Sequence, residues 1–209
     1  MKITVVDYGI GNLLSVVRGF QRIGCDVQLA AAGEEIVSAS RLILPGVGAF
    51  GDGMEEIRRR NLEEPIREYA ESGKPLLGIC LGMQMLLERS FEFGSHNGLG
   101  LIPGSVIEIP KQTPAGNTHK TPHIGWSGIN KDEVSWEDTF LQTTSPNSPV
   151  YFVHSYMAAP PIEYRLASCD YNGVSICAAV KNGNIYGTQF HPEKSGPIGL
   201  EMLEQFLTL

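Results

Sequence analysis

Through its first eighty residues the chain alternates short apolar runs with amphipathic stretches, and that alternation restricts its fold more than any other feature. Residues 3–7 form an apolar strand ending at Asp7, a glycine-bearing turn follows, and Leu13, Val16, Val17, Phe20 and Ile23 then recur at helical spacing. Further strands are predicted at 26–30, 42–45 and 75–80. They are separated by helical stretches within 50–72, where Met54, Ile57, Leu62 and Ile66 punctuate Arg, Glu and Ala. Strands that alternate with helices in this way pair in parallel, because each crossover helix returns the chain to the same end of the sheet.

From about residue 99 the character changes. Extended runs at 104–109, 123–129, 150–156 and 165–170 lead to a hairpin in which Asn182–Gly183 supplies the positive-φ turn pair, which predicts an antiparallel second half. Between Pro197 and Leu209, the residues Ile198, Met202, Leu203, Phe206 and Leu207 share one helical face and predict a closing helix. Residues 111–122 and 130–149 are rich in Thr, Pro, Asn, Asp and Ser and read as surface loops. No internal repeat interrupts the pattern. With 209 residues and 42% hydrophobic content, one domain spanning 1–209 can bury a core without disulfides or a structural metal.

Charge and cysteine usage exclude several classes. Sixteen basic residues against 23 acidic ones give a net charge of -7, which offers no footprint for nucleic acid or an anionic membrane. No apolar run approaches the roughly 20 residues of a membrane span. The opening Met1–Asp7 reads as a strand rather than a signal peptide, so a cytoplasmic location is expected. Cys25, Cys80, Cys169 and Cys177 form no CxxC pair, and reduced thiols fit them.

One of these cysteines stands apart. In Pro75–Leu76–Leu77–Gly78–Ile79–Cys80–Leu81–Gly82–Met83–Gln84 an apolar strand runs into a helix with Cys80 at the junction and a glycine two residues to either side. A residue on so sharp a turn takes a strained backbone, and side chains at its flanks would strike neighbouring main chain, which Gly78 and Gly82 avoid. A sulfur at a helix start is also favoured as thiolate, the attacking form. Taken alone, a cysteine is most often a small buried residue, and Cys25, Cys169 and Cys177 are assigned that role.

A thiol nucleophile needs a base, and the base needs an acceptor on its second nitrogen to fix its tautomer. Gly187–Thr188–Gln189–Phe190–His191–Pro192–Glu193 supplies both, with His191 and Glu193 two apart on a segment read as extended, so that their side chains face one way. Pro192 limits the freedom between them. By itself His-Pro-Glu also fits an ordinary surface turn.

Together, Pro45–Gly46–Val47–Gly48, Gly78–Ile79–Cys80–Leu81–Gly82–Met83–Gln84 and Gln189–Phe190–His191–Pro192–Glu193 resemble the signatures of the class I glutamine amidotransferases, in order. Within that class, Asp7–Leu13, Leu99–Gly104, Pro122–Trp126 and Tyr151–Tyr156 look like the glutaminase subunits of imidazole glycerol phosphate synthases, and the resemblance covers essentially the whole chain. It implies an α/β, flavodoxin-like fold: a mixed central sheet flanked by helices, antiparallel in the C-terminal half. It implies a Cys80–His191–Glu193 triad that hydrolyses glutamine to glutamate and ammonia, with Gly46, Val47, Gly48 and Leu81 around the oxyanion. Gly48, Gln84, His154, Ser155 and Tyr156 would hold the substrate.

The resemblance also implies a heterodimer with a separate (βα)8-barrel cyclase that uses the ammonia in histidine biosynthesis. Tyr8 through Asn12, Trp126, Tyr151 and Lys194 would lie at that interface, although core packing suits Trp126 and Tyr151 nearly as well. No cofactor is implied: Asp7–Asn12 lacks the third glycine of a dinucleotide turn, and His96, His119 and His123 have no metal-site spacing and read as solvated or hydrogen-bonded.

Two departures bear on the pathway. Ser127 stands where the family usually has asparagine, and Thr121 where an aliphatic residue is usual. The stretch Phe91–His96 resembles paralogues that supply ammonia to a surface-sugar amidotransferase, which is the alternative reading. A cysteine peptidase-like hydrolase and a silent docking subunit are further alternatives, opposed respectively by the Pro-Gly-Val-Gly strand and by the intact triad.

Overall fold

The computed structural model describes all 209 residues. The first half runs β1 (Lys2–Val6), α1 (Leu13–Arg22), β2 (Asp26–Ala30), α2 (Gly33–Val37), β3 (Leu42–Leu44), α3 (Phe50–Arg59), α4 (Glu63–Glu71), β4 (Leu76–Ile79) and α5 (Leu81–Met85). The rest runs β5 (Leu87–Ser90), β6 (His96–Asn97), β7 (Ile102–Glu108), β8 (His123–Lys131), β9 (Ser148–His154), β10 (Tyr156–Ala159), β11 (Arg165–Tyr171), β12 (Val174–Asn182), β13 (Ile185–Thr188) and α6 (Gly196–Phe206).

The main sheet has nine strands in the order β2-β1-β3-β4-β13-β12-β11-β8-β9. Pairing is parallel from β2 to β13 and antiparallel from there on, so the change of character in the sequence corresponds to a change of strand direction. Because side chains alternate along a strand, the parallel half feeds two cores. Ile3, Val5, Ile43, Leu77 and Ile79 point to one side, where Phe20, Met202 and Phe206 of α1 and α6 cover them. Val6, Leu42, Leu44 and Leu76 point to the other, against Met54, Ile57, Ile66 and Tyr69 of α3 and α4. No helix is long and apolar enough to cross a membrane.

Two features depart from the sequence expectation. A second sheet, β10-β7-β5-β6, departs from the sequence reading; its strands β5 and β6 are short and mostly polar. The segment 130–149, expected as a surface loop, begins in β8, ends in β9, and between them buries Trp136, Phe140 and Leu141. The Trp136 indole N–H donates to Leu166 O at 2.7 Å, and Phe140 meets Tyr186 edge-on, so three apolar side chains tether an otherwise polar stretch.

Candidate active site

All three sequence signatures leave neighbouring strands at one edge of the sheet. Pro45–Gly48 follows β3, Cys80 follows β4, and His191 lies just beyond β13. The carboxyl ends of parallel strands are where open α/β sheets form ligand crevices.

Cys80 sits between β4 and α5 with φ 55° and ψ -108°, an unfavourable region for a residue with a side chain. The turn is held by Cys80 N–H to Thr188 O at 2.7 Å and Gln84 N–H to Cys80 O at 3.2 Å. A Cβ on Gly78 would approach Met83 N to 2.7 Å, and one on Gly82 would collide with the Leu44 carbonyl, so the glycine spacing is sterically required. α5 is only five residues long, and the elbow, more than a helix dipole, determines where the sulfur points.

His191 and Glu193 meet as the sequence anticipates, by a different local route. His191 is extended (φ -100°, ψ 97°), but Pro192–Lys194 forms a 3-10 turn, and the turn rather than strand alternation carries the carboxylate to the ring. His191 Nδ1–H donates to Glu193 Oε1 at 2.8 Å, with the two side chains 3% and 2% exposed. This leaves Nε2 for the nucleophile; it is buried and forms no hydrogen bond. Burial pushes the imidazole pKa down, but the Cys80 sulfur and the Glu193 carboxylate together outweigh burial and raise it to about 9.

Ser195, which sequence reasoning overlooked, secures the turn. Its Oγ–H donates to His191 O at 2.6 Å while its oxygen accepts from Tyr151 N–H at 3.0 Å, and His191 N–H donates to Tyr151 O at 2.9 Å. Gln189 also joins the site. Its Nε2–H points to Cys80 Sγ at 3.8 Å and its Oε1 accepts from Gln84 Nε2 at 2.9 Å. A polar residue fully buried at the end of an apolar strand was the available signal.

Cys80 and His191 open onto a cavity of about 280 Å³ with Val47, Gly48, Leu81, Gln84, His154, Ser155 and Tyr156, so the residues expected to hold substrate are brought together. Glu92 lines it as well, with Oε2 accepting Phe50 N–H at 2.7 Å; the stretch Phe91–His96 stands out in the sequence, but not Glu92 as a site residue. A larger hollow of about 610 Å³ shares Glu92 with it and is otherwise lined by residues such as Asp52, Arg58, Arg59 and His96; Cys80, His191 and Glu193 do not line it.

The expected oxyanion elements are adjacent but engaged with each other. Leu81 N–H donates to Gly46 O at 3.4 Å, and Gly48 takes φ 104°, a conformation suited to glycine. Tyr8 requires a correction. Expected at a partner interface, it is completely buried, and its hydroxyl donates to Pro45 O at 2.9 Å, so it braces the Pro45–Gly48 segment from within. Asn12, Trp126 and Lys194 are exposed, and Tyr151 is half-buried with its ring edge-on to Trp126 at 6.0 Å. Asn12 shares a small crevice with Gly46, His191 and Glu193.

The remaining candidates fall outside the chemistry. Cys25, Cys169 and Cys177 are buried free thiols, and burial raises Cys169 and Cys177 to about 12. No group of three or more His, Cys, Asp or Glu side chains is placed to hold a metal ion. His119 is buried with Nδ1 at 2.9 Å from Pro110 O, and His123 is buried and hydrogen-bonded on both ring nitrogens, so neither is solvated.

Comparison with known proteins identifies the family. The family model described as "Glutamine amidotransferase class-I" matches residues 4–209. The chain is 52% identical to "Imidazole glycerol phosphate synthase subunit HisH 1" of Legionella pneumophila (strain Lens), with 99% of each chain covered. It is 46% identical to "Imidazole glycerol phosphate synthase subunit HisH" of Rhodopirellula baltica, covering 99% of this chain and 97% of that one. Among solved structures, PurLQS from Thermotoga maritima superposes with a TM-score of 0.74 over 99% of this chain and 97% of that one, at 21% identity, a likeness of fold. With the signatures, the fold and full-length relatives in agreement, the chain belongs to the class I glutamine amidotransferases, in the group of HisH subunits of imidazole glycerol phosphate synthase.

Proposed function

We propose that residues 1–209 form one glutaminase domain that hydrolyses glutamine to glutamate and ammonia, as the HisH subunit of an imidazole glycerol phosphate synthase in histidine biosynthesis. The observation that carries this reading is that His191, held from behind by Glu193, lines one cavity of about 280 Å³ together with a cysteine held at positive φ.

The Cys80 thiolate attacks the side-chain amide carbon of glutamine. The tetrahedral intermediate collapses by breaking the C–N bond, and the His191 imidazolium gives its proton to the departing ammonia. His191, now neutral, takes a proton from water; the hydroxide adds to the γ-glutamyl thioester, and glutamate leaves as the thiolate re-forms. Glu193 keeps Nδ1–H directed and Nε2 free through both halves. Gln84, Ser155 and Tyr156 form part of the cavity wall, and Glu92 offers the one lining carboxylate to the substrate α-ammonium group.

Oxyanion stabilisation requires the Leu81 amide to exchange Gly46 O for the substrate oxygen. That rearrangement accords with activation by a separate barrel cyclase docking on the face that carries Asn12, Trp126, Tyr151 and Lys194. The ammonia would pass to that partner. A cytoplasmic location suits the four free cysteines. In the assembled enzyme, Cys80→Ala should abolish glutamine-dependent synthesis and leave synthesis from added ammonium salt intact. Retained glutamine turnover overturns the assignment.

A further inference from the structure

Beside the triad lies a second set of histidines that the reaction itself does not use. His123 and His154 are register partners on β8 and β9, and both rings are buried. His123 is stacked between Tyr171, with ring centroids 3.9 Å apart at 25°, and Phe152, at 4.8 Å and 20°. Its Nε2 lies 2.9 Å from Ser127 Oγ, and its Nδ1 lies 3.1 Å from His154 Nε2. His154 Nδ1 in turn lies 2.8 Å from Tyr156 O.

The direction of every bond in this chain follows from its last member. A carbonyl oxygen only accepts, so His154 carries its proton on Nδ1, and its Nε2, in a neutral ring, accepts. His123 must therefore donate from Nδ1 and accept on Nε2, and Ser127 must donate. Burial keeps both rings neutral, pushing His123 down to about 4 and His154 to about 3, with no carboxylate in contact to reverse it. The same Tyr156 carbonyl accepts from Gln84 Nε2 at 3.1 Å, and Gln84 reaches Cys80 through Gln189. One carbonyl thus joins the histidine chain to the wall of the glutamine cavity.

We propose that Ser127, His123 and His154 form a one-directional hydrogen-bond relay whose function is to position the Tyr156 carbonyl and, through it, Gln84 and the Ser155–Tyr156 wall for glutamine binding. His123 and Ser127 are positioning residues that touch no substrate. The relay rests on the glutaminase reading, since it acts on that site's wall. Ser127 supplies the one property the position needs, a side-chain donor within reach of His123 Nε2.

The test combines a spectrum with a labelling split. In nitrogen-15 histidine spectra of the whole chain at pH 7, both rings should be neutral with the proton on Nδ1; an Nε2–H tautomer or a charged ring at either position overturns the relay. Labelling of Cys80 is then compared between a glutamine-like diazoketone, which must occupy the cavity, and iodoacetamide, which need not. Ser127→Ala, and His123→Phe, which keeps the aromatic stack, should slow diazoketone labelling about tenfold, the scale of one net hydrogen bond. Iodoacetamide labelling should stay within about twofold by the same measure, and Ser127→Asn should restore diazoketone labelling.

Equal slowing by both reagents, or no slowing, overturns the relay while leaving the glutaminase reading intact. Failure of the diazoketone to label the unmodified chain overturns both.

Discussion

The backbone N–H of Leu81 donates to the carbonyl of Gly46 at 3.4 Å, so the amide beside the nucleophile is engaged by the strand expected to help bind the oxyanion. Tyr8 fastens that strand in turn, through its hydroxyl to Pro45 O at 2.9 Å. Tyr8→Phe removes the bond and leaves a buried carbonyl unpaired, at a cost of about 1–3 kcal/mol. The oxyanion strand should also reorient more easily. Urea denaturation should show the lost stability, and glutamate release by the uncomplexed chain should rise; a lower basal rate would count against the strand as the restraint.

Glu193 should govern both turnover and the alkaline behaviour of His191. With the imidazole raised to about 9, the proton delivered to ammonia is present at neutral pH and is lost as pH rises through that value. The kcat/KM profile should therefore fall above about pH 9. The stability contributed by this pair follows the same sign: full below the ordinary histidine value of 6.5, lost as pH rises through about 9. Glu193→Gln should move the alkaline limb to lower pH and reduce kcat by about a hundredfold or more.

The buried histidines carry the opposite sign. His123 and His154 titrate below the ordinary 6.5, so the unfolded chain takes up protons first. Their contribution is complete above about pH 6.5 and drains away as pH falls through the folded values near 4 and 3. Each can add up to about 1.4 kcal/mol per pH unit to acid destabilisation across that range. Denaturation curves at pH 7 and pH 5 should show the loss, and His123→Phe should flatten it; parallel curves for the two proteins would contradict the assignment.

Ser195→Ala should loosen the turn that carries the triad without touching any reacting atom. It removes the donor to His191 O and the acceptor for Tyr151 N–H, at 2.6 and 3.0 Å. A stability loss of about 1–3 kcal/mol is expected, with kcat falling more than KM changes, because the base is displaced and the substrate wall is not. Steady-state kinetics beside a melting curve separate the two effects.

The sequence made the parallel half legible because β1, β3 and β4 are largely apolar runs with a helix after each, and Cys80 legible because Gly78 and Gly82 have a steric reason to be glycine. His191 and Glu193 were readable as a pair from their chemistry, but the 3-10 turn that joins them was not, since Pro192 suits both an extended segment and a helix start. Tyr8 was misplaced because an aromatic residue in a glycine-rich turn fits an exposed contact as well as a buried brace. Glu92, Ser195 and the His123–His154 pair escaped notice because each acquires its partner through tertiary contact, from Phe50 N–H across 42 positions in one case and His154 across 31 in another. Trp136, Phe140 and Leu141 were hidden among polar neighbours with no periodicity to reveal them.

The most direct test of the account is glutamate release from glutamine by the pure chain, alone and mixed with a histidine-pathway cyclase barrel, with and without its ribonucleotide ligand. Slow release by the chain alone and stimulation of at least about tenfold by the liganded barrel, absent in Cys80→Ala, is the predicted result. Fast release by the chain alone that the barrel leaves unchanged, or release that survives Cys80→Ala, would contradict it.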